Sequence, residues 1–543
     1  MDPKNVKLTF PDLVSATIQR HGQEIALAYV DDNHLTYADL SKKIDETVNF
    51  LKSKGIKEGD KVALWATSSP DWGIVYLSIT WMGAIVVPLL PDFSPTEVKN
   101  ILLHSEAKLF FVSQSLYEKL DEVTTVHLRA VYDVNSFQEF YVEPAFQEEI
   151  VETKNNYQVQ EDDLAAIIYT SGTTGKSKGV MLTHKNICFT AIKASIIQPV
   201  EHTDKFLSIL PLSHTYENTL GFILPLIKGA AIYYLKQTPS PSVLLPAMQK
   251  VKPTVILSVP LIMEKIYRNK ILPTFESKTI LRKIYHTTPG RKLLHKVAGG
   301  KLKKQFGGKV QFFGIGGAKL DFMVEQFLKE AGFPYAIGYG MTESSPLLAG
   351  TKVSETKLGT TGFPMEGVTL KIHEPDTNTG EGEIWAKGPN VMKGYYKDKD
   401  ATSEVLTEDG WLRTGDLGVF DQEGFLHIKG RQKNMIVGSS GENIYPEEIE
   451  SIINNFKHVV ESLVLEKKGK LVAMVHFNVE ELKQTYHSWK DETEAKLEEW
   501  KKELTSYVNN QVNRFSRLHQ VVVKPEPFEK TATKKIKRFL YKE

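Results

Sequence analysis

The stretch Leu164-Ala-Ala-Ile-Ile-Tyr-Thr-Ser-Gly-Thr-Thr-Gly-Lys-Ser-Lys-Gly-Val-Met-Leu-Thr-His184 decides how this chain is read. Its apolar start, Leu164 to Tyr169, predicts a buried strand. Gly179 to Leu182 predicts a second strand, so Thr170 to Gly179 span a hairpin. Those residues carry five hydroxyls, three glycines and two lysines. Glycines let backbone N–H groups approach a polyphosphate, hydroxyls donate to its oxygens, and lysines neutralise its charge. The Gly-x-x-x-x-Gly-Lys-Ser loop that opens a helix is excluded. Thr170 stands five residues before Gly175, where that motif needs glycine, and no helix follows at once. A flexible solvated turn has a similar composition.

Working outward, 543 residues give ample chain for several domains and a large core. With 67 Lys and Arg against 66 Asp and Glu, the formal charge is +1, which argues against a global attraction to nucleic acid. The single Cys188 excludes an intrachain disulfide and fits a reducing cytoplasm. Met1 to Phe10 holds charges and no apolar core, so no secretory signal is visible. Gly73 to Leu90 is 18 residues long and uncharged, enough to raise the question of a membrane span. Gly83 and Pro88 interrupt it. The pattern predicts a buried helix through Met82, stopped by Gly83, then a strand at Ala84–Val87.

Further strands are predicted at Val62–Trp65, Lys108–Val112, Thr254–Ser258 and Val310–Ile315, with helical patterns between them. This alternation indicates an α/β chain of layered, mainly parallel sheets. No internal sequence repeat is visible. Asn378-Thr-Gly-Glu-Gly-Glu383 reads as a polar turn between strands. A domain boundary falls near Gly430-Arg-Gln-Lys-Asn434, between a strand closed by Gly430 and a helix opened by Pro446-Glu-Glu-Ile-Glu450. Residues 1–430 then form a large domain and 431–543 a small α+β one. Arg291 to Lys309 carries seven Lys or Arg and no acid. It reads as a solvated face or as a contact for anionic lipid headgroups. The tail from Lys530 is also basic.

Four more segments carry chemistry. Gly338-Tyr-Gly-Met-Thr-Glu343 combines close backbone approach at Gly338 and Gly340 with an aromatic face on Tyr339. It adds Met341, the Thr342 hydroxyl, and Glu343, an oxygen ligand suited to Mg²⁺. Trp411-Leu-Arg-Thr-Gly-Asp416 ends in a carboxylate that can accept from both hydroxyls of a ribose. Phe528-Glu-Lys-Thr-Ala-Thr-Lys-Lys-Ile-Lys-Arg538 is a basic run that could equally be a solvated tail. Pro211-Leu-Ser-His214 places one histidine in an apolar context, where a structural role is also possible.

In combination and in this order, these segments resemble the adenylate-forming superfamily of acyl-CoA synthetases, peptide-synthetase adenylation domains and luciferases. The resemblance runs from Leu35-Thr-Tyr37 to Arg538. It implies that Thr170, Ser171, Gly172, Thr173, Thr174, Gly175 and Lys176 form the phosphate loop. It places Gly316, Gly317 and Ala318 along an adenine, with Tyr339 stacked nearby. Thr342 would bond the α-phosphate, and Glu343, with Thr170, would hold the metal. Asp416 would bind the ribose with help from Arg431, and His214 would line the carboxylate pocket. The catalytic lysine is the one directly before Ile, which is Lys535. The usual residue before it is Gly, whereas Lys534 stands here. The hinge of a mobile C-terminal domain maps to Lys433, although the following Asn434 replaces the usual Asp.

The activity so implied is ATP-dependent activation of a carboxylate as acyl-adenylate with Mg²⁺, then transfer to CoA. Val259-Pro-Leu-Ile-Met-Glu-Lys-Ile-Tyr267 and the long basic segment before Gly314 resemble long-chain fatty acyl-CoA synthetases in particular. The implied partners are a fatty acid, ATP, CoA and an anionic membrane surface, in the cytoplasm, with no nucleic acid. Transfer to an acyl carrier protein, and a non-enzymatic nucleotide-binding scaffold, are the alternatives.

Overall fold

The structure is a computed structural model that describes residues 6–32, 34–120, 127–144, 157–170, 177–438, 442–467, 469–478 and 490–542. Two compact units emerge. One takes Met1–Lys371, Trp385–Arg413 and Gln422–Leu426; the other takes Ile372–Ile384, Thr414–Asp421 and His427–Glu543. The second unit thus draws on two segments that precede Gly430.

The first unit holds two large sheets. One runs in the order Tyr335–Ile337, Phe312–Ile315, Val255–Ser258, Lys205–Ser208, Ala231–Tyr234, Ile25–Tyr29, His34–Thr36. All its pairings are parallel except the last. The other centres on five parallel strands, Leu164–Thr170, Ile85–Pro88, Lys61–Trp65, Leu109–Val112 and Ala130–Asp133, with antiparallel edges. Each of the strands expected from sequence is present, within two residues of its expected bounds.

The two sheets repeat one topology. In each, the chain lays a strand, sets the next on one side, then crosses over to continue on the other side. Lys205–Ser208, Ala231–Tyr234 and Val255–Ser258 do so in one sheet; Lys61–Trp65, Ile85–Pro88 and Leu109–Val112 do so in the other. Ligands collect at the carboxyl ends of strands around such crossover points. No sequence repeat betrays the repetition, because burial on both faces demands only apolar strands.

The uncharged stretch from Gly73 resolves as expected. Helix Pro70–Trp81 is buried at every residue from Trp72 to Thr80, Gly83 takes φ 80°, and the strand Ile85–Pro88 follows. A helix hydrophobic all round belongs in a core. Its Trp72 and Tyr76 rings stack at 5.1 Å and meet Phe222 edge-on. Among the described residues, no helix is long and apolar enough to cross a membrane.

The second unit packs helices Pro446–Asn454 and Lys490–Asn509 against a sheet of Val459–Lys467, Lys470–Phe477 and Gln520–Val523. Trp500, Leu504 and Val508 recur every four residues and supply one buried helix face. Pro446 opens its helix with Glu447 and Glu448 in the first turn, as the sequence indicates.

Candidate active site

Strands Leu164–Thr170 and Lys178–Thr183 pair antiparallel, with Thr170 opposite Lys178. The hairpin read from the sequence is therefore formed. Ser171, Gly172, Thr173, Thr174, Gly175 and Lys176 lie outside the described residues. Thr170 ends the first strand, half-buried at the carboxyl edge of its sheet.

Gly316, Gly317 and Ala318 follow the strand Phe312–Ile315 at the same kind of edge, with Gly317 at φ 84° and both Gly317 and Ala318 exposed. Gly338 follows Tyr335–Ile337. Gly340 is obligatory: a Cβ there would lie 1.8 Å from the Pro346 carbonyl oxygen. The chain doubles back tightly here, with Met341 N donating to Pro346 O at 2.9 Å. The fold-back presents the half-buried Tyr339 and Thr342, then sinks Glu343 to 8 % exposure.

Distant residues hold this turn in place. Asn390 Nδ2 donates to the carbonyls of Ser344 and Leu347 at 3.1 and 2.9 Å. Met392 N donates to Glu343 O at 2.9 Å. The short strand Gly394–Tyr395 then pairs with Lys178–Thr183. Tyr395 Oη donates to Glu343 Oε1 at 2.8 Å, while Lys178 Nζ lies 4.8 Å from the Tyr395 ring centroid. The Thr170 hairpin and the Glu343 turn are thus joined through Tyr395. Sequence reasoning did not single out Asn390 or Tyr395, since they matter only through pairings 43 and more residues away.

This arrangement suits Mg²⁺. Glu343 is a buried carboxylate that accepts from the neutral Tyr395 hydroxyl, and no Lys or Arg pairs with it among the described residues. Mg²⁺ is ordinarily held by one or two carboxylates plus substrate phosphates and waters. Glu343 beside the hairpin supplies that donor set. No cluster of three His, Cys, Asp or Glu that could hold a metal by itself occurs among the described residues.

An apolar cavity opens beside Gly338. Its walls include Phe206, Tyr216, Leu220, Leu257, Gly314 and Gly338. Tyr216 lies over the glycines: a Cβ on Gly314 or Gly316 would come within 3.1 or 3.2 Å of it. His214 is not among the lining residues. Its Nδ1 accepts from Tyr216 N at 3.3 Å, at the start of the turn that carries Tyr216.

The second unit carries the other candidates. Asp416, 5 % exposed, pairs with Arg431, Nε to Oδ1, at 2.7 Å. Gly415, at φ 67°, donates to Glu383, and Asp416 N donates to the Thr414 hydroxyl. Lys433 is exposed in the short turn Gln432–Asn434. Lys535 closes a tight loop: Thr531 N donates to Lys535 O at 2.8 Å, and Lys535 N donates to the Thr531 hydroxyl at 3.2 Å. Lys534 has φ 61°, the left-handed region that glycine tolerates best. Arg538 anchors the loop on the half-buried Glu450 of helix Pro446–Asn454. Burial pushes the Glu450 carboxyl up to about 7, against the opposing pull of Arg538.

Residues 14–396 match the AMP-binding enzyme family. This chain belongs to that family. It is 30 % identical over 570 aligned positions to the long-chain-fatty-acid–[acyl-carrier-protein] ligase AEE15, chloroplastic, of Arabidopsis thaliana, covering 87 % of this chain and 76 % of that protein. It is 30 % identical over 491 positions to the peroxisomal long chain acyl-CoA synthetase 6 of the same plant, covering 83 % and 70 %. Among solved structures, the o-succinylbenzoate CoA synthetase of Bacillus subtilis in complex with its acyl-adenylate intermediate superposes with a TM-score of 0.75. It is 25 % identical and covers 98 % of each chain. The α/β fold expected from sequence is the fold found, and the chain is an adenylate-forming ligase.

Proposed function

We propose that this AMP-binding enzyme activates a long-chain fatty acid with ATP and passes the acyl group to CoA, releasing AMP and pyrophosphate. The observation that carries the reading is the apolar cavity opening against Gly314 and Gly338. An alkyl chain bound there would lie beside the segment that would hold the adenylate.

A carboxylate is a poor electrophile because its oxygen leaves badly. Attack of the carboxylate on the ATP α-phosphorus expels pyrophosphate and leaves an acyl-adenylate, whose AMP departs readily. Mg²⁺, which Glu343 and Thr170 would hold, would neutralise the charge that grows on the departing phosphates. Thr342 donates to the α-phosphate, Asp416 with Arg431 holds the ribose, and Tyr339 faces the adenine. Lys535 bridges the carboxylate and phosphate oxygens as a point charge. A thiol then attacks the acyl carbon, which requires Lys535 to withdraw. Rotation of residues 431–543 about Lys433 accomplishes this.

We further propose that the enzyme works on an anionic lipid surface. From Lys278 to Leu320 the chain carries eleven Lys or Arg and no acid. Within that stretch Ile280 is 75 % exposed and Leu293 62 %, on helices Thr279–Tyr285 and Thr288–Gln305. Apolar side chains ringed by cations suit a headgroup boundary, at ~1 kcal/mol per well-placed cation.

Pyrophosphate release measured over acids from acetate to stearate tests the substrate, with CoA and acyl carrier protein compared as acceptors. The similarity to an acyl-carrier-protein ligase makes the second acceptor the alternative to beat. Preference for acetate or an aryl acid would refute the long-chain reading. Vesicle sedimentation tests the surface: Lys301, Lys303 and Lys304 changed to Glu should weaken salt-sensitive binding to anionic vesicles. No binding by the parent at low salt would refute it.

A further inference from the structure

One wall of the apolar cavity is unusual in its backbone. Leu220 reaches the cavity from a wide π-helical turn, Glu217–Ile223, with Tyr216 directly before the turn and Leu224 opening the helix Leu224–Lys228 that follows it. A π-turn holds one residue more than an α-turn and persists only where something supports it. Glu217 lies at its first position. It is 2 % exposed, with no ion pair among the described residues.

The Glu217 carboxyl fills the space beneath the turn. Ser208, the last residue of strand Lys205–Ser208, donates to Glu217 Oε1 at 2.7 Å, while Oε2 has no hydrogen-bond partner. Four residues along, Gly221 leaves the carboxyl its room: a Cβ there would lie 2.6 Å from Glu217 Cδ and 2.7 and 2.9 Å from its oxygens. The turn is thus tied to the sheet at the strand that borders the cavity through Phe206. Nearby, Tyr234 sits opposite Ser208 on the adjacent strand.

We propose that Glu217 is the positioning residue that sets the acyl-chain preference of this enzyme, by propping the π-turn that holds Tyr216 and Leu220 in the cavity wall. This rests on the reading of the cavity as the acyl site. Glu217 is not among the residues that line the cavity. Burial pushes its carboxyl up to about 8, so the neutral acid is the form that occupies the site. Without the prop, the turn can tighten by one residue, which rotates the wall side chains by about 100°. Tyr216 would then swing off Gly314 and Gly316, and the cavity would change length.

The test compares kcat/KM for saturated acids of six to eighteen carbons in the full chain. Glu217→Gln keeps the volume and a neutral group, so its chain-length profile should match the parent. Glu217→Leu should change the ratio of long-chain to short-chain kcat/KM by ~10-fold or more, the scale of a misfit of one methylene or a few. The KM for ATP should stay put in both. Gly221→Ala presses on the carboxyl from the other side and should shift the profile in a protein that keeps Glu217. It is also the fallback if the Leu variant does not fold. Leu220→Trp is the control for the cavity itself. If Leu220→Trp shifts the profile while Glu217→Leu and Gly221→Ala do not, the role of Glu217 is refuted and the acyl cavity stands. If Leu220→Trp shifts nothing, the cavity is not the acyl site and both readings fall.

Discussion

Asn434 donates from Nδ2 to Glu447 Oε1 at 2.7 Å, tying the turn that holds Lys433 to the first turn of helix Pro446–Asn454. The superfamily resemblance leads one to expect Asp at 434. Here the neighbouring carboxylate explains the exchange, because an Asp would set two acids against each other where an amide now donates. Asn434→Asp should destabilise the second unit by about 1–2 kcal/mol, the scale of a lost hydrogen bond plus a like-charge contact. Adding Glu447→Gln should recover most of the loss. A double-mutant cycle read by thermal unfolding checks this; additive losses would show that the two residues do not interact.

The loop around Lys535 makes a paired prediction. Lys534 occupies the left-handed region at φ 61°, where the resemblance places glycine. Lys534→Gly should therefore be neutral or stabilising, by up to about 1 kcal/mol, and should leave catalysis intact. Lys535→Ala should slow acyl-adenylate formation by ~10²-fold or more, the scale of losing one preorganised charge contact. It should largely spare thioester formation from supplied acyl-adenylate. Equal loss in both half-reactions, or a greater loss at Lys534, would reverse the assignment.

What the sequence disclosed follows from distance along the chain. The hairpin around Thr170, the buried helix from Pro70 and the Gly338–Glu343 turn were legible because strand, loop and glycine signals act within a few residues. The link from Glu343 to Tyr395 spans 52 positions and was not, because nothing local marks Tyr395 as its partner. Arg431 and Asp416 were legible only through resemblance, and the structure sets them 2.7 Å apart. The sequence sets the small domain at 431–543, while the second compact unit includes His427–Glu543. Its claim on Ile372–Ile384 and Thr414–Asp421 was hidden, since strand pairing and not sequence order recruits them. Glu217 gave no sequence signal, because an acid in an apolar run reads as a helix surface until the fold buries it.

Magnesium provides a third measurement. Glu343→Gln turns a charged oxygen ligand into a neutral one, so the Mg²⁺ concentration for half-maximal adenylation should rise several-fold and the rate should fall. Tyr395→Phe removes the hydroxyl that donates to Glu343 and should produce a smaller change in the same direction, through misplacement of the carboxylate. An Mg²⁺ titration unchanged in Glu343→Gln would remove Glu343 from the metal site.

The lysine at the turn before Asn434 gives a kinetic prediction. Proline fixes φ and removes a backbone N–H, so Lys433→Pro should hinder a large rotation at that residue. Adenylation measured by pyrophosphate release should persist, while thioester formation should drop by ~10-fold or more, as expected when a conformational step limits turnover. Equal loss of both would mean that the substitution damages folding instead.

Glu217 ties stability to pH with a definite sign. Its carboxyl is pushed up to about 8 by burial, with the Ser208 hydrogen bond pulling weakly the other way. In the unfolded chain a glutamate titrates near ~4.3. Between about pH 4.3 and 8 the unfolded chain therefore releases a proton that the folded chain keeps. Stability from this group is complete below that window and is lost as pH rises through it. The whole loss is on the order of 5 kcal/mol at 1.36 kcal/mol per pH unit. Glutamine cannot titrate, so Glu217→Gln should unfold at a higher temperature than the parent at pH 8, and the gap should narrow or invert at pH 5. Other titrating groups are common to both proteins and cancel in the comparison. A gap that stays constant from pH 5 to pH 8 would mean that Glu217 does not hold its proton in the folded enzyme.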